Sequence, residues 1–139
     1  MDNERIIRIA AVVLRNEAGE VLTVRKHGTE AFMFPGGKVE PGEPTRAAAR
    51  REIAEELGLD LREEDLTSLG ELSAPAANEP GYTVRCAAFA WRGTLDQAPE
   101  VRAEIAEARF YSPESRSPEI APLTRDVVFP LLLDRERGN

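Results

Sequence analysis

The chain is poor in the residues that build sites from sulfur and nitrogen: it has one cysteine, Cys86, and one histidine, His27. A single cysteine excludes an intramolecular disulfide and fits a reducing compartment; lying in an apolar strand pattern, it reads as a small buried hydrophobe. A lone histidine beside Gly28 excludes a histidine-based metal site and reads as a surface residue. Long hydrophobic runs are also missing, since the longest, at residues 127–133, is interrupted by Pro130 and is too short to span a bilayer. The opening Met1-Asp2-Asn3-Glu4-Arg5 is mixed and polar rather than basic and then apolar, so no secretory segment is expected and the cytoplasm is the default location. Basic charge is in deficit, with 18 Lys and Arg against 25 Asp and Glu for a net charge of −7. That balance argues against nucleic acid polymers and anionic membranes as partners. It leaves a small anionic substrate open, because bound metal ions reverse the local potential.

What is present suits an ordinary globular protein. With 139 residues, 42% hydrophobic and 31% charged, the chain is expected to form one domain over residues 1–139 with a core of its own. It carries no internal repeat and no low-complexity tract. Residues 5–14 read as a strand buried on both faces for part of their length. Asn16-Glu17-Ala18-Gly19 supplies a turn, and residues 20–25 return as a strand with Leu22 and Val24 facing inward, so a hairpin is expected. A loop with a short strand follows around Phe32-Met33-Phe34. Residues 43–57 read as a helix with Pro44 in its first turn, Ala49, Ile53 and Leu57 on its core face, and Gly58 as its stop. Strands are expected at 66–73 and 82–91, with a loop at 74–81, and the mixed segment 103–111 reads as a short helix or a strand, with strand favoured after Ile105. A terminal helix is expected at 124–135, kinked or delayed by Pro130. This order suggests an α/β sandwich with a mixed sheet, although periodicity alone leaves the topology open.

The helix at 43–57 carries the chemistry. Glu52, Glu55 and Glu56 fall at i, i+3 and i+4, which puts three carboxylates on one face with Cβ atoms roughly 5–6 Å apart. Their stripe neighbours, Thr45 and Ala48, bring no compensating charge. A divalent cation is the simplest partner that makes such a cluster favourable, and all-oxygen ligands point to Mg²⁺, with Mn²⁺ as its substitute. Two glycines, Gly36 and Gly37, stand just before and permit close backbone approach to a ligand or ion.

The spacing is also a known one. Gly37, Glu43, Arg51, Glu52, Ile53, Glu55, Glu56, Gly58 and Leu59 match every fixed position of the Nudix box, G-x5-E-x7-R-E-U-x-E-E-x-G-U with U apolar. The chain resembles the Nudix hydrolase family, and within it the small MutT-like members, because Phe34-Pro35-Gly36-Gly37-Lys38-Val39-Glu40 runs into the box as it does there. The motif covers 23 residues, and the looser resemblance in strand order covers most of the chain. The resemblance implies the Nudix fold, a mixed β-sheet sandwiched between α-helices. It implies a Mg²⁺-dependent hydrolase that cleaves a diphosphate linkage in a nucleoside triphosphate, an oxidised one in the MutT-like case, or in another nucleoside diphosphate derivative. ADP-ribose or nucleotide-sugar hydrolysis is one alternative; a non-catalytic, nucleotide-sensing Nudix domain is another, disfavoured because all three box glutamates are present.

Residue by residue, the resemblance makes Glu52 and Glu56 the principal metal ligands, with Glu55 close behind and the backbone carbonyl of Gly37 adding an oxygen. Arg51 is a positioning residue, four places before Glu55 and spaced to pair with it. Glu43 is either a helix-start carboxylate or a metal contact. The general base lies among Glu52, Glu55 and the later run Glu100, Glu104 and Glu107, with Glu104 favoured. Arg25, at the end of the second strand, and Lys38 are candidate phosphate contacts, each against the simpler reading of a solvated surface charge. Phe34 is a candidate for stacking on a base, against the simpler reading of a core aromatic. The partner is a small-molecule nucleotide, with the protein a monomer or a homodimer.

Overall fold

A computed structural model of the chain describes residues 5–77 and 79–137. The polar opening at residues 1–4 and Asn78 of the loop at 74–81 lie outside the described residues. Strands β1 (Ile6–Val13), β2 (Val21–Lys26) and β3 (Gly36–Lys38) precede helix α1 (Thr45–Leu57), and a 3₁₀ turn at Glu63–Asp65 leads into β4 (Leu66–Pro75). Strands β5 (Thr83–Trp91) and β6 (Ile105–Tyr111) follow, then a π-helical segment at Leu123–Val128 that runs into α2 (Phe129–Arg137).

Four strands form a mixed sheet in the order β3-β1-β5-β4, and β2 pairs with β6 as a separate antiparallel ribbon. The expected hairpin therefore holds only at its turn. There the Asn16 N–H donates to the Glu20 carbonyl at 3.1 Å, the Leu22 N–H donates to the Leu14 carbonyl at 2.8 Å, and Arg15 bridges Val21. Beyond that point β1 already has both edges filled, antiparallel with β3 on one side and parallel with β5 on the other, so β2 peels away to β6.

β1 explains why the sheet needs cover on both faces. Ala10 and Val12 of β1, with Leu14 just beyond it, join Ala48, Ala49, Ile53 and Leu57 of α1 in one cluster. Ile9, Ala11 and Val13 join Leu123, Val128, Phe129 and Leu132 in another. Two opposed apolar faces on one strand demand a layer on each side, which gives the mixed sheet between helices that the resemblance implied. Ile53, fully buried in the α1 cluster, contributes about 1.5–3 kcal/mol by area.

Two element boundaries differ from expectation, each through a proline. Helix α1 starts at Thr45, with Pro44 as its cap residue in extended geometry at φ −61° and ψ 143°. A residue before proline is steered away from helical angles, so Glu43 lies outside the helix rather than in its first turn. At the other end, Gly58 takes a left-handed φ of 68° and its N–H donates to the Ala54 carbonyl, the stop read from the sequence. Pro130, second residue of α2, cannot donate to a preceding turn, and the chain before it is wound as a π-helix from Leu123 rather than as a kinked α-helix.

Candidate active site

β3 is placed by its glycines. A Cβ on Gly36 would lie 2.2 Å from the Ala10 carbonyl oxygen, and one on Gly37 would lie 2.3 Å from the Glu52 carboxylate. The absent side chain at Gly37 is thus what lets the strand backbone lie against a carboxylate of α1.

The three glutamates of α1 are not equivalent. Glu56 is buried at 2% exposure, and its Oε1 has no hydrogen-bond partner. Burial first, and then the neighbouring Glu52 charge, push its carboxyl up to about 8. Glu52 is mostly buried and receives the Arg51 guanidinium at 2.8 Å. Glu55 is more than half exposed, and its distance to Arg51 is 3.7 Å. Arg51 makes its shorter bonds elsewhere than to Glu55. It reaches both oxygens of Glu43 at 2.8 and 2.9 Å and the Lys38 carbonyl at 3.1 Å, tying the loop after β3 to the helix. The bond from Arg51, followed by one from the Glu40 N–H, holds the Glu43 carboxyl down at about 2. Glu43 is therefore a fastener of the loop instead of a helix-start carboxylate.

Beside this cluster lies a cleft of about 140 Å³ whose lining includes Gly36, Gly37 and Lys38 of β3, Lys26 of β2, and the apolar side chains of Ile7, Ile9, Met33 and Leu123. Pro75 at the end of β4 and Ala77 and Glu79 of the loop beyond it also line the cleft. Lys38, as expected, stands at the cleft. Arg25 does not. Its guanidinium donates to the Thr29 carbonyl at 2.9 Å, pairs with Glu107 at 3.4 Å and lies 5.9 Å from the Phe32 ring.

The cation that the structure brings instead is Lys26, which lines the cleft, pairs with Glu104 at 3.4 Å and exerts its charge on Glu56. Val24 and Lys26 stand two apart on β2 and both line the cleft, while Arg25 between them faces the other side. Alternation carried the signal: with Leu22 and Val24 read as facing inward, Lys26 and not Arg25 falls on their side of the strand.

Phe34 is fully buried in the α2-side cluster, where its N–H donates to Thr124 Oγ1 at 3.1 Å. It offers no face to a base, and the core reading replaces the stacking one. Glu104 is brought to the site. The Arg102 N–H donates to the Glu56 carbonyl at 2.9 Å, the His27 N–H donates to the Glu104 carbonyl at 2.8 Å, and Ala103 between them sits at φ 57°. Its charge raises the Glu56 carboxyl, although its own side chain is 65% exposed. Glu107 instead pairs with Arg109 and Arg25, away from the carboxylates. Cys86 is buried, and burial pushes its thiol up to about 12, which suits packing and not nucleophilic attack. His27 is exposed.

Among the described residues no three His, Cys, Asp or Glu side chains converge into a ready ion cage. Arg51 draws Glu52 and Glu55 toward itself, so the expected trio resolves into an adjacent pair, Glu52 and Glu56, plus an outlying Glu55. The pair still fits a divalent cation. A buried carboxylate oxygen without a partner is a costly acceptor that a cation would satisfy, and the side chains of the pair offer oxygen alone. No helix is long and apolar enough to cross a membrane among the described residues.

Comparison with known proteins bears on the same region. The family model for the NUDIX domain matches residues 5–132. An 8-oxo-dGTP diphosphatase of Haemophilus influenzae is 43% identical over 61 residues, 41% of this chain and 45% of that protein. An RNA pyrophosphohydrolase of Yersinia enterocolitica is 40% identical over 52 residues, 37% of this chain and 30% of that protein. The chain thus spans less than half the length of either relative. The crystal structure of a MutT protein from Methanosarcina mazei superposes with a TM-score of 0.77 at 23% identity, covering all of both chains.

Proposed function

The chain belongs to the Nudix family, and from that premise we propose that it is a Mg²⁺-dependent pyrophosphohydrolase cleaving a phosphoanhydride in a nucleoside triphosphate or a related nucleoside diphosphate derivative. The observation that carries the reading is the orphaned, buried Oε1 of Glu56 beside Glu52. Folding around an unpartnered carboxylate costs stability, and a catalytic metal site is the reading that explains the cost. A non-catalytic sensing domain would have no need for it.

In this reading Glu52 and Glu56 hold the cation, with Glu55 and the Gly37 carbonyl as further oxygens. A bound divalent cation supplies neutralisation of phosphate charge and activation of water. The chain supplies the rest. Arg51 fixes the direction of Glu52 through its bonds to Glu43 and the Lys38 carbonyl. Lys26 and Lys38 attract the phosphate chain at one part of the cleft, while Ile7, Ile9, Met33 and Leu123 receive the base. Glu104, the favoured base, takes a proton from the attacking water as the new P–O bond forms and the anhydride P–O bond breaks.

The test is a substrate panel. Nucleoside triphosphates, oxidised nucleotides, dinucleoside polyphosphates, ADP-ribose and nucleotide sugars are incubated with the protein and Mg²⁺, and released phosphate and pyrophosphate are measured. Turnover of a nucleoside triphosphate is expected. Silence across the panel with both Mg²⁺ and Mn²⁺ overturns the proposal, and preference for ADP-ribose or a nucleotide sugar replaces its substrate class.

A further inference from the structure

One non-glycine among the described residues has a positive φ, Ala103 at 57°. A Cβ in that left-handed region crowds its own backbone, so an alanine stays there only where its neighbours hold it. Those neighbours belong to the helix that carries the glutamates and to the chain leaving β2. The Arg102 N–H donates to the Glu56 carbonyl at 2.9 Å, the Ile105 N–H closes a turn on the Arg102 carbonyl at 3.1 Å, and the His27 N–H donates to the Glu104 carbonyl at 2.8 Å. Ile105, buried, anchors the far end in the core.

The Arg102 side chain adds a further tie. Its guanidinium lies over Gly58, where a Cβ would come within 2.6 Å of its Cζ. Helix α1 ends there with no basic residue in its last turn, although Glu55 and Glu56 place two acids at the negative end of its dipole. Arg102 brings the missing cation from another segment. Gly58 thus serves twice, as the stop of the helix and as the seat of a guanidinium. Together these ties fix the backbone from which the exposed Glu104 carboxylate reaches Lys26 of the cleft at 3.4 Å. Resting on the hydrolase reading above, we propose that Arg102 and Ala103 are positioning residues: the guanidinium seated on Gly58 and the left-handed turn after it aim the Glu104 carboxylate at the attacking water.

The experiment separates this role from plain support of the fold. Asparagine tolerates a positive φ and β-branched valine does not, so Ala103→Asn keeps the turn and Ala103→Val opposes it. With Mg²⁺ and a nucleoside triphosphate, Glu104→Gln should lower kcat by about 100-fold, the scale of a lost general base. Ala103→Val should lower it by about tenfold through misplacement, with KM within about twofold, while Ala103→Asn keeps the wild-type kcat. In the Glu104→Gln background Ala103→Val should cost nothing more, because both changes act on one carboxylate. Arg102→Ala should repeat the valine pattern, and it decides the matter where the valine variant fails to fold. Exchange of the His27 amide, read without metal or substrate, should quicken by about tenfold in Ala103→Val and Arg102→Ala and hold in Ala103→Asn. Unchanged kcat or unchanged His27 exchange in both disruptive variants, an equal further loss in the Glu104→Gln background, or full turnover by Glu104→Gln overturns the positioning role while the hydrolase reading stands. Absence of wild-type turnover overturns both.

Discussion

Arg51 and Arg109 do similar work in different company. Each guanidinium gathers two or more carboxylates within ion-pair distance, Glu43, Glu52 and Glu55 for one and Glu107 and Glu119 for the other. Around Arg109 every group has an answer: Tyr111 shares its hydroxyl with Arg109 and Glu119, and the Phe32 ring lies beneath the cation. Beside the Arg51 network one oxygen is left over, Oε1 of Glu56, one helical turn from Glu52 and without a hydrogen-bond partner. A completed network stiffens a fold. An incomplete one, held rigid by the same kind of arginine, marks where a further charge is meant to enter.

The largest effect expected from this contrast falls on the leftover oxygen. Glu56→Gln keeps the shape of the neutral acid that the metal-free fold accommodates, so stability should hold while Mg²⁺-dependent kcat falls by about three orders of magnitude. Activity near the wild-type level would remove Glu56 from the site. Next, Gly37→Ala places a methyl on the Glu52 carboxylate and should lower kcat by about 100-fold through misplacement alone. A variant with unchanged kcat and an unchanged circular dichroism spectrum would show that the close approach has no catalytic purpose.

The two cations on β2 give a smaller split. Lys26→Ala should raise KM by about tenfold, the order of one lost charge-assisted contact to phosphate, whereas Arg25→Ala should leave KM alone. The reverse outcome would return Arg25 to the cleft. The two network centres are then compared directly: Arg51→Lys should cost about tenfold in kcat/KM, because an ammonium cannot span Glu43, Glu52 and the Lys38 carbonyl together. Arg109→Lys should leave kcat/KM within about twofold. Matched losses in the pair would erase the distinction drawn between the networks.

The last prediction concerns pH without metal. The Glu56 carboxyl is raised from 4.5 to about 8 on folding, so between those values the folded chain keeps a proton that the unfolded chain has released. Metal-free stability should therefore fall as pH climbs through that window, by roughly 3 kcal/mol at most. Denaturant titrations at pH 5.5 and 8.5 measure it, and the slope should flatten in Glu56→Gln. A wild-type slope equal to that of the variant would contradict the burial argument.

Much of this was legible in the residues. The box spacing located α1, its stop at Gly58 and the identity of the carboxylates, because helical geometry converts sequence intervals directly into directions in space. The strand at Ile105–Tyr111 was also readable from its pattern. Three things were not. Lys26 and Arg25 are adjacent and equally basic, and which of them is useful depends on which face of β2 meets the cleft, the one it shares with Val24. Phe34 looks identical as a core residue or a stacking face until Thr124 and the second helical layer close over it. The unequal standing of the three glutamates depends on Arg51 choosing Glu43, a partner eight residues away across a proline. Each miss comes from a contact between segments, which local periodicity does not encode.

β1 deserves a last consequence. It feeds two cores by strict alternation, and the same strand fixes β3 by pairing Ala10 with Gly37 and Ala11 with Gly36. Deleting one residue from its middle would do more than exchange inside for outside. It would slide the glycine pair out of step with α1, so that a frame error in a strand bearing no reactive group would silence Glu52, far downstream in the chain.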